Sequence, residues 1–194
     1  MRARADAAIG LAQEQGFAQF LLQASIQRGG ALAEQGQVAE GLAQIRHGLT
    51  AWQATGSYTR PHKLALLASV YGQVGQPEEG LRALTEALTL VEAIGERFIE
   101  AELHRLTGAL LLARSAETPA DAETCFQQAL AIARQQQAKS WELRAAMSLS
   151  RLWQQQGKRI EAYELLAPIY GWFTEGFDTA DLQDAKVLLE ELRG

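Results

Sequence analysis

The sequence predicts an all-α chain: an α-solenoid of antiparallel helix pairs closed by a C-terminal capping helix. Three observations carry this. There are only four prolines in 194 residues, and few stretches alternate in the period-two manner of strands. Apolar residues recur at helical spacing over nearly the whole length. A pattern of small and large residues also returns about every 40 residues, the signature of a repeat architecture.

The repeat is legible in "GQVAEGLAQIRHGL" from Gly36, "GQPEEGLRALTEAL" from Gly75, "PADAETCFQQALAI" from Pro119 and "GKRIEAYELLAPI" from Gly157. Each places a small residue (Gly41, Gly80, Ala122, Ala162) four positions before a large apolar one (Ile45, Leu84, Phe126, Leu166). Another small residue precedes each: Gly29, Ala68, Gly108 and Ser150, with Leu32, Tyr71, Leu111 and Trp153 three positions on. Small residues let two helix backbones approach, and the large neighbour fills the groove beside them.

The elements follow in order. Residues 1–16 read as the end of a truncated repeat, because "AAIGLAQEQGFAQF" echoes "LAIARQQQAKSW" from the end of a second helix. Its partner helix is missing, so the N-terminal side is expected to continue in a parent protein. Helix pairs are expected within 17–55, 60–95, 97–137 and 139–174, all in one helical-repeat domain. Gly36, Gly75 and Gly157 suit the left-handed residue that ends a first helix. Pro77 and Pro119 stand where second helices begin, a position that needs no N–H donor. The third unit carries "ARSAETPAD" in place of the glycine and is expected to have a longer loop.

The closing stretch "PIYGWFTEGFDT" concentrates Tyr170, Trp172, Phe173 and Phe177. A stacking site for a base or sugar is one reading, and a structural corner is the favoured one. Pro168 predicts a kink or an early helix end near Leu165. Asp178 reads as an N-cap, with Asp181 at N3 and Phe177 against Leu182 as a hydrophobic staple. The aromatics are expected to fill the seam between the last repeat and a capping helix over 178–193. That helix puts Leu182, Ala185, Leu188, Leu189 and Leu192 on one face.

Composition excludes several function classes. The formal net charge is −5 and the pI about 5.3, which argues against a general nucleic-acid binder. No apolar run reaches the roughly 18 residues needed to span a membrane, and the arginine-bearing start lacks a signal-peptide apolar core. A single cysteine, Cys125, rules out an internal disulfide and fits a reducing, cytoplasmic setting. His47, His62 and His104 fall in different repeats without metal-ligand spacing. Cys125 has no base beside it in sequence and reads as a packed thiol. Glu78/Glu79 and Glu190/Glu191 diverge around a helix and read as solvated faces. No catalytic constellation, metal site or cofactor motif is expected, and the chain reads as a non-enzyme.

The first helices are expected to line a concave groove. Residues His62, Ser69, Gln73, Glu102, Arg105, Arg144, Met147, Arg151 and Gln154 fall on it. Arg105, Arg144 and Arg151 form a basic run whose guanidinium forks suit carboxylates or phosphates. The plainer alternative is pairing within the chain, as between Glu102 and Arg105 and between Glu142 and its neighbours.

The small-x2-large pattern, then glycine, then Ala-x3-Phe-x2-Ala resembles the tetratricopeptide repeat, with "LALLASVYGQVGQPEEGLRALTEAL" the best match. The units here are longer than the usual about 34 residues and lack its closing proline. More narrowly, "GERFIEAELHRLTGALLL", "CFQQALAIARQQQAKSWELRAAMSLSRLW" and "LLAPIYGWFTEGFDTADLQDAKVLLEEL" look like the repeat region that ends large bacterial signalling proteins. Those carry an adenylate/guanylate cyclase-type domain and a predicted ATPase domain ahead of the repeats. The chain has neither a GxxxxGK[ST] loop nor paired metal-binding aspartates, so the resemblance implies a non-catalytic regulatory arm. Its partners would be a protein or peptide segment, or sister domains of the parent chain. The alternatives are a sensor of a small anionic metabolite or nucleotide, and a self-associating module.

Overall fold

The structure, a computed structural model, describes residues 2–55, 60–115 and 119–194. Part of the loop expected at "ARSAETPAD" therefore lies outside the described residues. Among them are ten α-helices, one 3₁₀ turn and no strand. The fold is all-α and of the tetratricopeptide-like helical-repeat class. The chain divides into two compact units, Met1–Glu96 and Arg97–Gly194.

The first unit holds α1 (Arg2–Glu14), α2 (Ala18–Glu34), α3 (Val38–Ala54), α4 (Pro61–Gln73) and α5 (Pro77–Ile94). Helices α2 and α3 form one close pair and α4 and α5 another, while α1 lies against α2. The α2/α3 crossing is tight because both helices present glycine there. A Cβ built on Gly41 would stand 2.4 Å from the Gly29 carbonyl oxygen and 2.9 Å from the Ala33 nitrogen.

The second unit begins with a 3₁₀ turn (Arg97–Ile99) and holds α6 (Glu100–Arg114), α7 (Pro119–Gln135), α8 (Lys139–Gln155), α9 (Arg159–Tyr170) and α10 (Ala180–Arg193). Its crossings use one or two residues that carry a Cβ. Ala122 faces Gly108, whose own Cβ would fall 2.6 Å from Phe126. At α8/α9 the pair is Ser150 and Ala162, both fully buried. Ser150 Oγ donates to the Ala162 carbonyl at 3.0 Å, which satisfies its hydroxyl without water. Around them Leu143, Met147, Leu166, Leu182, Leu188 and Leu192 form one apolar cluster.

Five turns share one backbone device. The N–H of Phe17, Gln37, Gln76, Ala138 and Lys158 bonds the carbonyl of Ala12, Leu32, Tyr71, Ala133 and Trp153, each at 2.9 Å. This is the six-to-one bond of a Schellman motif. The carbonyl of the same residue opens the next helix, as Gln37 O accepts from Gly41 N at 2.9 Å. One residue thus ends one helix and starts another, which accounts for starts that lack a side-chain cap bond. The preceding residue must be left-handed. It is Gly16, Gly36, Gly75 and Gly157 in four turns and Gln137, at φ 54°, in the fifth. A side chain in that region costs about 1 kcal/mol. Gln137→Gly is therefore expected to stabilise the second unit by about 0.5–1 kcal/mol. A chemical melt with an unchanged or lowered midpoint would contradict it.

The C-terminal corner departs from expectation at four points. Helix α9 does not end near Leu165 but runs through Pro168 to Tyr170. Pro168 sits in the last turn, and the acceptor it leaves unpaired belongs to Glu164; both residues are exposed, so water can serve that carbonyl. Thr179, not Asp178, is the N-cap of α10, and it makes no side-chain cap bond. Its hydroxyl is turned back onto the Gly176 carbonyl at 2.7 Å. With Thr179 as the N-cap, Phe177 no longer directly precedes the cap as a staple to Leu182 requires; it meets Tyr170 edge-on, with centroids 5.9 Å apart, and stays exposed. The seam is filled by half the aromatics. Tyr170 and Phe173 pack on the apolar cluster, whereas Trp172 is 58% exposed. Helix α10 itself buries Leu182, Ala185, Leu188, Leu189 and Leu192 as one face.

Candidate functional site

The second unit brings the arginine residues onto neighbouring helices. On α8, Arg144, Ser148 and Arg151 follow one stripe at four- and seven-residue spacing. On α6, Glu102 and Arg105 are one turn apart. The guanidinium of Arg105 grips Glu102 with both arms, Nε to Oε2 at 2.7 Å and Nη2 to Oε1 at 2.8 Å. Arg144 bridges three helices, donating from Nη1 to Glu102 Oε1 at 3.3 Å and from Nε to Asp181 Oδ2 at 2.8 Å. Its guanidinium carbon also lies 5.3 Å from the Trp141 ring. Burial alone would lower the pKa of Arg144, but Asp181 and Glu102 outweigh it and hold the value above the ordinary one.

Two of the three arginines are thus already engaged with carboxylates of the chain. This matches the plainer alternative for Arg105 and extends it to Arg144. The Glu102 carboxylate is buried beneath them, and losing one partner would leave charge uncompensated. Arg151 is exposed, and no described residue pairs with it. Gln154 reaches Glu191 at 3.4 Å. Met147 is only 4% exposed and belongs to the apolar cluster, so it does not present itself to a ligand.

The plainer alternative also holds for Glu142, which pairs with its neighbours. Glu142, buried on α8, accepts from Arg134 at 2.9 Å and Lys139 at 2.7 Å. Burial pushes its carboxyl up, but those two hydrogen bonds more than reverse it and the net shift is downward. Cys125 is half-buried, and burial with Asp121 nearby raises its thiol pKa, which leaves it a poor nucleophile.

In the first unit, His62, Ser69 and Gln73 lie along α4, from half-buried to exposed. Beside His62 stands the residue the sequence reading missed, Lys63. It is 2% exposed, and its Nζ rests 3.0 Å from the centroid of the Trp52 ring on α3. The Nζ makes no hydrogen bond among the described residues. Burial first, then the nearby Arg60 charge, lower its pKa to about 8, against an opposing pull from Glu96. Burial, Lys63 and Arg60 likewise lower the His62 pKa. The available signal was register: Lys63, Leu67 and Val70 share one stripe of α4, and that stripe is buried.

Next to this cluster is a pocket of about 680 Å³. Phe20 and Gln23 of α2, Trp52 of α3, His62 of α4 and the flanking Arg60 and Glu96 line it. Among the described residues no group of three His, Cys, Asp or Glu side chains could hold a metal ion, and no helix is long and apolar enough to cross a membrane.

No protein-family model matches the chain, and no curated protein does so. Solved structures do. BtubC (BKLC) from P. vanneervenii is similar at a TM-score of 0.71 and 14% identity, over 98% of this chain and 87% of that one. A kinesin light chain-type protein of nearly identical TPR-like repeats from Podosopora anserina is similar at a TM-score of 0.62 and 20% identity, over 89% of this chain and 93% of that one. A point variant of that protein gives 0.61 and 19%, over 89% and 92%. At these identities the likeness is one of fold, and the fold is the tetratricopeptide-like array.

Proposed function

We propose that the chain is a non-catalytic scaffold for protein–protein or interdomain contacts, working as the cytoplasmic regulatory arm of a larger bacterial signalling protein of the cyclase/ATPase type. The observation that carries this reading is the polar face of α6 and α8. Glu102, Arg105, Arg144 and Asp181 hold one another in place there, while Arg151 is left uncommitted at its edge. Side chains already fixed by ion pairs lose little entropy when a partner docks on them. A free arginine beside them offers a bidentate grip on a partner carboxylate. The kinesin light chain-type neighbour agrees with a scaffold role by fold. The parent-protein context rests on the sequence resemblance of the closing segments.

The test follows from which arginine is free. Reversing Arg105 or Arg144 would break the internal pairs and confuse binding with folding, so Arg151→Glu is the informative change. Immobilised wild type and Arg151→Glu would be exposed to source-cell lysate, and retained proteins read by mass spectrometry. The expected result is a partner, in particular a cyclase-type or ATPase-type domain, depleted about tenfold or more by the variant; tenfold is the loss of one contact of about 1.4 kcal/mol. Equal recovery at unchanged helicity would remove this face as the binding surface.

A further inference from the structure

The pocket of the first unit has walls of opposite character. Phe20, Trp52 and Ile94 are apolar, while Arg60, His62 and Glu96 are polar and charged. Three features of the polar side converge. Arg60 and His62 sit at the N-terminus of α4, a helix of 13 residues whose first N–H groups favour an anion. Lys63 leaves the same first turn and ends against the Trp52 ring that walls the pocket, buried and without a hydrogen-bond acceptor among the described residues. Glu96 gives one carboxylate oxygen, Oε1, to Arg60 Nη1 at 2.5 Å. Its other oxygen, Oε2, is buried without a donor.

An orphan buried donor and an orphan buried acceptor in one cluster are both costly. They are not within hydrogen-bond reach of each other, since neither has a partner. Glu96 lines the pocket and Lys63 does not, so a small molecule there carrying one group of each kind would offer Glu96 a donor directly and lower the cost of the Lys63 charge through space. An anion would answer Lys63, His62 and Arg60, and a cationic donor would answer Glu96. The apolar walls need an apolar body of modest size, and about 680 Å³ lies in the range of small-molecule sites.

We propose that this pocket binds a small zwitterion of the α-amino acid class with an apolar side chain, its carboxylate toward Arg60 and His62 within the field of the Lys63 ammonium, its ammonium toward Glu96, and its side chain against Trp52, Phe20 and Ile94. The site is in the other unit from the face proposed above for partner docking, and the two readings stand or fall separately.

The test is calorimetric titration of the full chain with three probes that share one aromatic body. L-phenylalanine carries both charges, 3-phenylpropanoate lacks the ammonium, and 2-phenylethylamine lacks the carboxylate. Saturable binding of L-phenylalanine is expected, with each truncated probe about tenfold or more weaker, as for the loss of a charge-assisted contact of about 1.4 kcal/mol. Lys63→Met keeps the apolar stem and is expected to weaken L-phenylalanine and 3-phenylpropanoate together. Glu96→Gln is expected to weaken L-phenylalanine but not 3-phenylpropanoate, whose carboxylate gains from the Arg60 that Glu96 releases. No saturable binding of any probe at millimolar concentration overturns the proposal. Equal affinity for all three would show an apolar cleft without charge recognition, and overturns it too. The probe series on the unaltered chain gives this answer even if a variant fails to fold.

Discussion

Replacing Gly41 with alanine is expected to destabilise the first unit by about 2–4 kcal/mol, although alanine is the better helix former by about 1 kcal/mol. The added methyl has nowhere to go. It would stand 2.4 Å from the Gly29 carbonyl oxygen, 2.9 Å from the Ala33 nitrogen and 3.2 Å from the Ala33 Cβ. The first two are backbone atoms of α2, so relief requires the two helices to separate, which loosens Ile26, Leu32, Ile45 and Leu49 between them. Gly30→Ala, one residue from the other half of the crossing, is the control. Its new methyl would meet only the tip of Leu66, 2.8 Å from Cδ1, and a leucine end can rotate. That change is expected to stay within about 1 kcal/mol of wild type. Urea melts of the two variants check the contrast. A Gly41→Ala protein as stable as wild type would mean that the crossing is not set by these two glycines.

The same crossing shows what the sequence could and could not convey. Gly29 and Gly41 were legible because a tight approach of helices leaves a residue-size signature in one dimension, at fixed spacing. Ala122 and Ala162, with Gly108 and Ser150 opposite, carry that signature on through the second unit. The buried face of α10 was legible for a similar reason, since five apolar residues at three- and four-residue intervals admit one surface. The start of α10 was not. Asp178 and Thr179 are both good N-caps, and the choice fell to Thr179 through its bond to Gly176, a contact that spacing does not encode. The arginines mark the other limit. Arg105, Arg144 and Arg151 read alike in sequence, yet Asp181 comes from a helix 37 residues beyond Arg144 to hold it. Long-range ion pairs of this kind depend on tertiary placement, so only local pairs, Glu102 with Arg105 and Glu142 with its neighbours, could be foreseen. Lys63 was overlooked because a lysine is read as solvated by default. Its place in the buried stripe of α4 was the contrary signal.

That lysine leads to the second large effect. Lys63→Met is expected to stabilise the first unit by about 2 kcal/mol at neutral pH, and the gain should vanish in alkali. The pKa of Lys63 falls from 10.5 to about 8 on folding, through burial of the ammonium first and the nearby Arg60 charge second. A fall of that size corresponds to about 3 kcal/mol, and water in the adjoining pocket screens part of it. Below the folded value the amine is protonated in both states, so the full penalty of burying the charge is present. Between the two values the unfolded chain binds more protons than the folded one, so stability rises with pH. Above the unfolded value the amine is neutral in both states and the penalty is gone. Wild type should therefore gain stability from about pH 8 upward, a slope that Lys63→Met removes, since methionine fills the same space against Trp52 without a charge. The measurement is a set of urea melts of both proteins from pH 6 to 10, with the difference between them plotted against pH. Arg60 and Glu96 remain in both proteins, so only their coupling to Lys63, which is part of its shift, enters that difference. His62 lies next to Lys63 and also titrates downward on folding; its effect appears below the lysine window and is separable on the pH axis. A methionine variant less stable than wild type at pH 7 would show instead that the ammonium's contact with the Trp52 ring outweighs the cost of its burial. In that case Lys63 would be a structural fastener between α3 and α4. A more stable variant would make it a strained group held in the fold at a cost, as expected of a residue kept for what it binds.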